Sequence, residues 1–267
     1  MRLRTALLLA FLCHMLLACA HNLSPQSQDI GEHAETPSTQ AGIPDWANSE
    51  CKPQTGQAPV VLIHGTFANT RRAFSTLGPL LKEQGFCVFA LNYGKQSAIP
   101  NVYGTGDMEN SVQEVSAFIE QVRKQTGVEK VHLVGHSQGG TLALYYSKVL
   151  GGAHKISRLV AVSPSVRGTK MMGAWTPTTP CLACVQQSPD SGFIKRLNAG
   201  PINQPGVMLL VLTTENDVVV TPLASQFVDE AQVTNMRLQQ LLPGRFATHS
   251  GILHDKEAMR WLVDWLR

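Results

Sequence analysis

From residue 59 onward the chain alternates between two apolar patterns. Short, mostly apolar runs fall at residues 59–63, 87–91, 131–134, 156–162 and 207–213, as expected of strands buried on both faces of a parallel sheet. Between them apolar residues recur at helical spacing. Phe74, Leu77, Leu80 and Leu81 precede Gly85, and Val112, Val115, Ile119 and Val122 form a stripe along residues 107–126. A helix-compatible run covers 141–150, a helix or turn is predicted near 222–230, a further strand over 236–242, and a closing amphipathic helix over 255–267. Strands and helices of this length in alternation predict an α/β domain with a mostly parallel central sheet flanked by helices.

Two stretches break the pattern. Residues 21–48 are rich in Ser, Gln, Thr, Pro, Glu and Gly with few large apolar side chains, and read as a flexible tether ahead of a folded domain over 49–267. Residues 163–206 are punctuated by prolines and glycines, with Met171, Met172, Trp175 and Phe193 between them. Long irregular segments in compact domains are often lids or binding loops, so this one reads as an excursion over the top of the sheet. A packed connection held by its own disulfide is the alternative.

The amino terminus carries different information. Arg2 and Arg4 precede an apolar run over residues 6–18, too short for a comfortable membrane span, and residues 1–20 read as a signal peptide. Leu16-Leu17-Ala18-Cys19 resembles a bacterial lipobox in which Cys19 becomes the lipidated first residue; Ala18-Cys19-Ala20 also fits ordinary secretory cleavage. The lipobox is the preferred reading, because a cysteine at a cleavage site is otherwise unusual. An outer-membrane or periplasmic lipoprotein is therefore expected, with plain secretion as the alternative. Removing Arg2 and Arg4 leaves 20 Lys+Arg against 19 Asp+Glu, a balance that gives no reason to expect nucleic acid as a partner. With 43% hydrophobic and 15% charged residues the chain can bury a sizeable core.

Export also changes how the cysteines are read. Cys51, Cys87, Cys181 and Cys184 remain after processing, and four cysteines outside the cytoplasm allow two disulfides in three connectivities. Cys51–Cys87, tying the start of the domain to its second strand, and a local Cys181–Cys184 clip are expected. The C-x-x-C spacing also occurs in metal and redox sites, but no second Cys/His pair at zinc spacing accompanies it. No metal and no cofactor is expected.

The candidate chemistry lies in residues 131–140, VHLVGHSQGG. An apolar run, then Gly135-His136-Ser137-Gln138-Gly139, then a helix, matches the G-x-S-x-G nucleophile elbow in its proper strand–turn–helix context. A sharp turn would expose the Ser137 hydroxyl to a base. Residues two before and two after it crowd that turn, which suits glycine. The unpaired N–H groups of the following helix point at the same spot. A base and an orienting carboxylate must follow in chain order. His249 sits in the loop after the last predicted strand and is preferred to His254, which neighbours the helix-capping Asp255. Asp217 ends the strand two steps past the elbow and is preferred to Glu215, Asp190 and Asp229. Oxyanion donors are expected from the amide of Gln138 and that of Thr66, the latter in the His64-Gly65-Thr66 loop after the first strand. His64 reads as a brace for that loop, and His132 and His136 as packing residues.

Together VVLIHGTFAN, CVFALNYG, VHLVGHSQGG, CLACVQQ, ENDVVVTP and THSGILHD resemble the extracellular bacterial triacylglycerol lipases of the class 2 family, which are α/β-hydrolases. The similarity runs over about residues 51–267. It implies an α/β-hydrolase fold and Ser137, Asp217 and His249 as nucleophile, acid and base, and it supports the two disulfides. Members of that family often carry a further cysteine near Leu242-Pro243, which this chain lacks. The expected function is a carboxylic-ester hydrolase, lipase or esterase, acting on acylglycerols or other apolar esters through an acyl-enzyme. The alternatives are acyl transfer by the same triad and a non-catalytic envelope lipoprotein on a hydrolase scaffold.

Overall fold

The computed structural model describes residues 42–171 and 181–267. The expected signal peptide, Cys19, most of the tether, and Met172 and Trp175 of the excursion lie outside the described residues.

β1 (Val60–Ile63) leads through two short helices, α1 (Thr70–Ala73) and α2 (Leu77–Glu83), to β2 (Val88–Leu91) and then α3 (Met108–Thr126). β3 (Val131–His136), α4 (Gln138–Lys148) and β4 (Ile156–Val162) follow, then α5 (Leu182–Gln186) and α6 (Gly192–Leu197). β5 (Met208–Thr213), β6 (Val233–Arg237), α7 (Leu238–Leu241) and α8 (Lys256–Trp265) complete the order. The strands form one sheet, β2-β1-β3-β4-β5-β6, with every neighbouring pair parallel. This is the α/β-hydrolase fold.

Strand alternation divides the core. Val61 and Ile63 of β1 face the side covered by α3 and α4 with Val112, Val115 and Leu142, while Val60 and Leu62 face Leu77, Leu81, Met259 and Leu262 of α2 and α8. Both sheet faces are covered, which explains why these strands read as mostly apolar runs. The chain steps outward from β1 to β2, then returns to place β3 on the other side of β1. Such a reversal leaves a crevice at the carboxyl ends of β1 and β3, the place where open α/β sheets bind ligands. The residues after those ends are His64–Thr66 and Ser137.

Three boundaries differ from expectation. The last strand is β6, Val233–Arg237, rather than 236–242. Being an edge strand it pairs only with β5, so VTNMR is mostly polar, while the apolar Leu238 and Leu241 belong to a short helix that packs them into the core on one side of the sheet. Of the residues at helical spacing, Leu77, Leu80 and Leu81 lie in α2, while Phe74 is the C-cap of the separate short helix α1. Residues 42–48, grouped with the tether by composition, pack on the fold. Trp46 lies against Gly78, where a Cβ would meet its ring at 2.5 Å, and the Asn48 side chain bridges both backbone polar groups of Ala90.

Both expected disulfides are present, Cys51–Cys87 and Cys181–Cys184. The first closes a 36-residue separation, a loop for which chain entropy gives about 4 kcal/mol of stabilisation. The described parts of the excursion are not structureless. They contain α5 and α6, whose Phe193 stacks on Tyr145 of α4 at 4.0 Å between ring centroids.

Candidate active site

Ser137 stands between β3 and α4 with φ 53° and ψ −124°, a conformation that a residue with a side chain adopts only under constraint. Three features impose it. The Ser137 amide donates to the Val162 carbonyl at 2.8 Å, and its own carbonyl accepts from Gly140 and Thr141 in the first turn of α4. The flanking glycines have no room: a Cβ on Gly139 would lie 2.1 Å from the Ile63 carbonyl oxygen, and one on Gly135 2.4 Å from the Gly139 carbonyl carbon. The spacing of the motif is thus a steric requirement of the turn.

His249 lies in the loop after α7, and its Nδ1 is 2.7 Å from Asp217 Oδ2. Both side chains are buried. The other carboxylate oxygen accepts from the amides of Val219 at 2.8 Å and Val220 at 3.0 Å, and Oδ2 accepts also from Gln226 Nε2 at 3.0 Å. Burial pushes the Asp217 carboxyl up, but the hydrogen bond and charge of His249 and the two amides outweigh it, and the group stays below its ordinary value. An ionised Asp217 holds the Nδ1 proton of His249 and leaves Nε2 free to accept another.

His136 joins this loop to the nucleophile strand. Its Nε2–H donates to the His249 carbonyl at 3.0 Å, and the two rings are 4.8 Å apart. Burial, with the charge of His249 next, lowers the His136 pKa to about 3, so the ring is a neutral strut. Ser137, His136 and His249 open onto one cleft of about 550 Å³, which Thr66 also lines. Among the described residues the Ser137 hydroxyl has no hydrogen-bond partner, and His249 lines the same cleft. Such bonds are often loose without substrate and tighten when the reacting carbonyl is seated.

The amides of Thr66 and Gln138 donate to no described acceptor. Gln138 begins α4, so its amide is one of the unpaired donors at a helix N-terminus. The loop that carries Thr66 is braced by His64, whose ring stacks on Tyr93 at 4.5 Å, while the Tyr93 hydroxyl donates to the His64 carbonyl at 2.6 Å. Burial lowers the His64 pKa to about 4. The arrangement can take a proton from a serine hydroxyl and hold negative charge on an oxygen set between two amides.

The preferred residues thus meet at one cleft, and the rival carboxylates do not; His254 reaches the cleft but has no carboxylate partner among the described residues. Glu215 is exposed and paired with Arg237 at 3.1 Å, Asp190 and Asp229 are exposed, and His254 is exposed with its Nδ1 3.5 Å from Ser75 Oγ. Sequence reasoning missed Gln187 and Gln226. Gln226 holds the acid, as above. Gln187 caps α5, which begins at the Cys181–Cys184 clip, and its amide bridges two parts of the site. Nε2 donates to Thr66 Oγ1 at 2.9 Å and to the Ala183 carbonyl at 3.2 Å, and Oε1 accepts from Ser165 Oγ at 3.0 Å. Ser165 in turn contacts Thr141 of α4 at 2.9 Å. A carbonyl can only accept, so Ala183 fixes which end of the amide is nitrogen. The Thr66 oxygen then accepts from Gln187, and its own proton is free to point into the cleft. The glutamine in CLACVQQ was the available signal, but a lone glutamine carries no chemistry until its partners are known.

A family model described as alpha/beta hydrolase fold matches residues 58–180. The chain is 32% identical to a triacylglycerol lipase of Vibrio cholerae over 126 residues, 43% of this chain and 38% of that protein. It is 27% identical to a triacylglycerol lipase of Pseudomonas fragi over 42% of this chain and 36% of that one. A proline iminopeptidase of Lactobacillus delbrueckii is 33% identical over 34% of this chain and 31% of its own. The chain thus spans well under half the length of these curated relatives. Among solved structures, Aspergillus fumigatus lipase B superposes with a TM-score of 0.68 at 22% identity, covering 92% of this chain and 63% of that one. Paleococcus ferrophilus monoacylglycerol lipase gives 0.56 at 23% identity over 81% and 95%.

Proposed function

We propose that the protein is a serine carboxylic-ester hydrolase, a lipase or carboxylesterase of the class 2 lipase type, that cleaves acylglycerols or other apolar esters. The observation that carries this reading is the buried Asp217–His249 pair opening onto the same cleft as a conformationally constrained Ser137. Relatives named as triacylglycerol lipases support the substrate class.

His249 Nε2 takes the Ser137 proton as the hydroxyl oxygen adds to the ester carbonyl. Negative charge collects on the former carbonyl oxygen, which the amides of Thr66 and Gln138 receive. One such donor is worth about 3 kcal/mol in the transition state. The tetrahedral adduct collapses as His249 gives its proton to the leaving alkoxide, leaving an acyl group on Ser137. Water, deprotonated by the same ring, then attacks the acyl carbon and releases the acid. Asp217 stays ionised throughout and stabilises the imidazolium.

The test is turnover of 4-nitrophenyl esters of increasing chain length, below and above their solubility limits, with labelling by a serine-directed fluorophosphonate. Activity and labelling are expected in the wild type and absent in Ser137→Ala. Failure of the wild-type protein to label would overturn the reading. A prolyl anilide, probing the activity named in the iminopeptidase relative, is expected to turn over far more slowly than the esters. As part of the same proposal, Cys19 is lipidated and holds the enzyme in the envelope; the support is the Leu16-Leu17-Ala18-Cys19 sequence. Fatty-acid labelling that persists in Cys19→Ser would refute this.

A further inference from the structure

The cleft that holds Ser137 is not evenly lined. Besides Ser137, Thr66 and His249 its wall includes Arg72 and His254, and among the described residues no aspartate or glutamate reaches it. Arg72 sits in α1 with its side chain exposed, and no described group forms a hydrogen bond or ion pair with its guanidinium. Its neighbour Arg71, by contrast, donates to the Ile43 carbonyl. A permanently charged fork of donors left open in a cleft without carboxylates is a match for a planar or tetrahedral oxyanion.

The position of Arg72 also says which half of the substrate it meets. His254 belongs to the turn Gly251–His254 that follows His249, and its Nδ1 lies 3.5 Å from Oγ of Ser75, two residues past the end of α1. The segment that carries Arg72 is thus in contact with the one that carries the imidazole. The imidazole must hand its proton to the leaving oxygen, so the alcohol half of an ester lies on the imidazole's side.

We propose that this end of the cleft is an anion subsite, in which Arg72, with His254 beside it, binds a carboxylate or phosphate carried on the alcohol half of the ester. The inference rests on the ester-hydrolase reading and adds to it an acidic group on the alcohol half, the acyl half remaining apolar.

Three phenyl acetates that differ only in the para substituent test it: 4-acetoxybenzoate, 4-acetoxyphenyl phosphate and the neutral 4-acetoxybenzamide. The wild-type enzyme is expected to favour at least one anionic ester over the neutral one by about tenfold in kcat/KM, the size of one charge-assisted contact. The preference should sit in KM and shrink as salt is raised. In Arg72→Gln the ratio should fall to about one, and in Arg72→Glu it should invert. Arg71→Gln should keep the wild-type ratio. Which anion wins distinguishes a carboxylate from a phosphate ligand. Equal kcat/KM on all three esters, or a preference that survives in Arg72→Gln, would overturn the proposal. If none of the three turns over and the fluorophosphonate does not label Ser137, the ester-hydrolase reading itself fails and takes this inference with it.

Discussion

Replacing Asp217 by asparagine keeps the shape of the side chain and reverses the sense of one hydrogen bond. Asp217 Oδ1 receives the amides of Val219 and Val220, so an asparagine at 217 must keep its carbonyl oxygen there. Its NH2 then takes the place of Oδ2, facing His249 Nδ1 and Gln226 Nε2. It can donate to Nδ1 only if the ring carries its single proton on Nε2. A ring protonated at Nε2 cannot accept from Ser137. This wrong-tautomer effect lowers kcat by about 10⁴ in serine proteases, or about 5 kcal/mol at 1.36 kcal/mol per decade. KM should move by less than about threefold, because the substrate contacts are untouched. The Gln226 donor is left facing another donor, which should cost about 1–3 kcal/mol of stability. The wild-type Asp217 pKa lies below its ordinary value of 3.8. Its carboxylate therefore stabilises the fold above that value and loses the contribution as pH falls through the depressed one, a loss that Asp217→Asn should not show. Initial rates on 4-nitrophenyl butyrate and a urea titration measure the two effects. Glu215→Gln, at an exposed ion pair, should stay within about twofold of wild type. A loss of less than about tenfold in Asp217→Asn would refute the role assigned to the pair.

Gln187→Glu should lower kcat by about tenfold, because a carboxylate makes the Thr66 hydroxyl donate to it and withdraws that proton from the cleft, and should lower Tm as well, because the buried carboxylate has no proton to give the Ala183 carbonyl; steady-state kinetics beside a thermal melt read the two effects. Gly139→Ala should destabilise by at least about 3 kcal/mol, since its methyl would fall on the Ile63 carbonyl. Gly151→Ala, with open space and φ 68°, should cost only about 1 kcal/mol from backbone strain; equal urea midpoints would refute the steric account of the elbow. Burial lowers the pKa of His64 and His132 to about 4 and of His136 to about 3. The unfolded chain takes up those protons first as pH falls below about 6.5, so stability should drop toward pH 4 by up to about 1.4 kcal/mol per unit for each proton. A flat urea midpoint between pH 7 and 4.5 would contradict that.

Much of this was legible along the chain because buried parallel strands and amphipathic helices write their burial directly into residue order. The strands over 156–162 and near 60, 88 and 208 fall where mostly apolar runs stand, since both sides of the sheet are covered. The last strand was misplaced because an edge position removes that requirement, so polar VTNMR pairs while the apolar residues beyond it coil into α7. The elbow was readable for a steric reason: two glycines flanking a serine are what a turn this tight permits. Chain order singled out His249 and Asp217, because each follows a late strand. What no linear pattern could supply was the set of long-range bonds around them. Gln187 reaches Thr66 across 121 positions and His136 reaches His249 across 113, and the charge of Arg72 acquires meaning only once the fold sets it in a cleft free of carboxylates. Sequence records which residues must be buried or bend sharply, since those demands act on neighbours. Which polar groups meet depends on how the packed layers close, and that was decided by the tertiary structure alone.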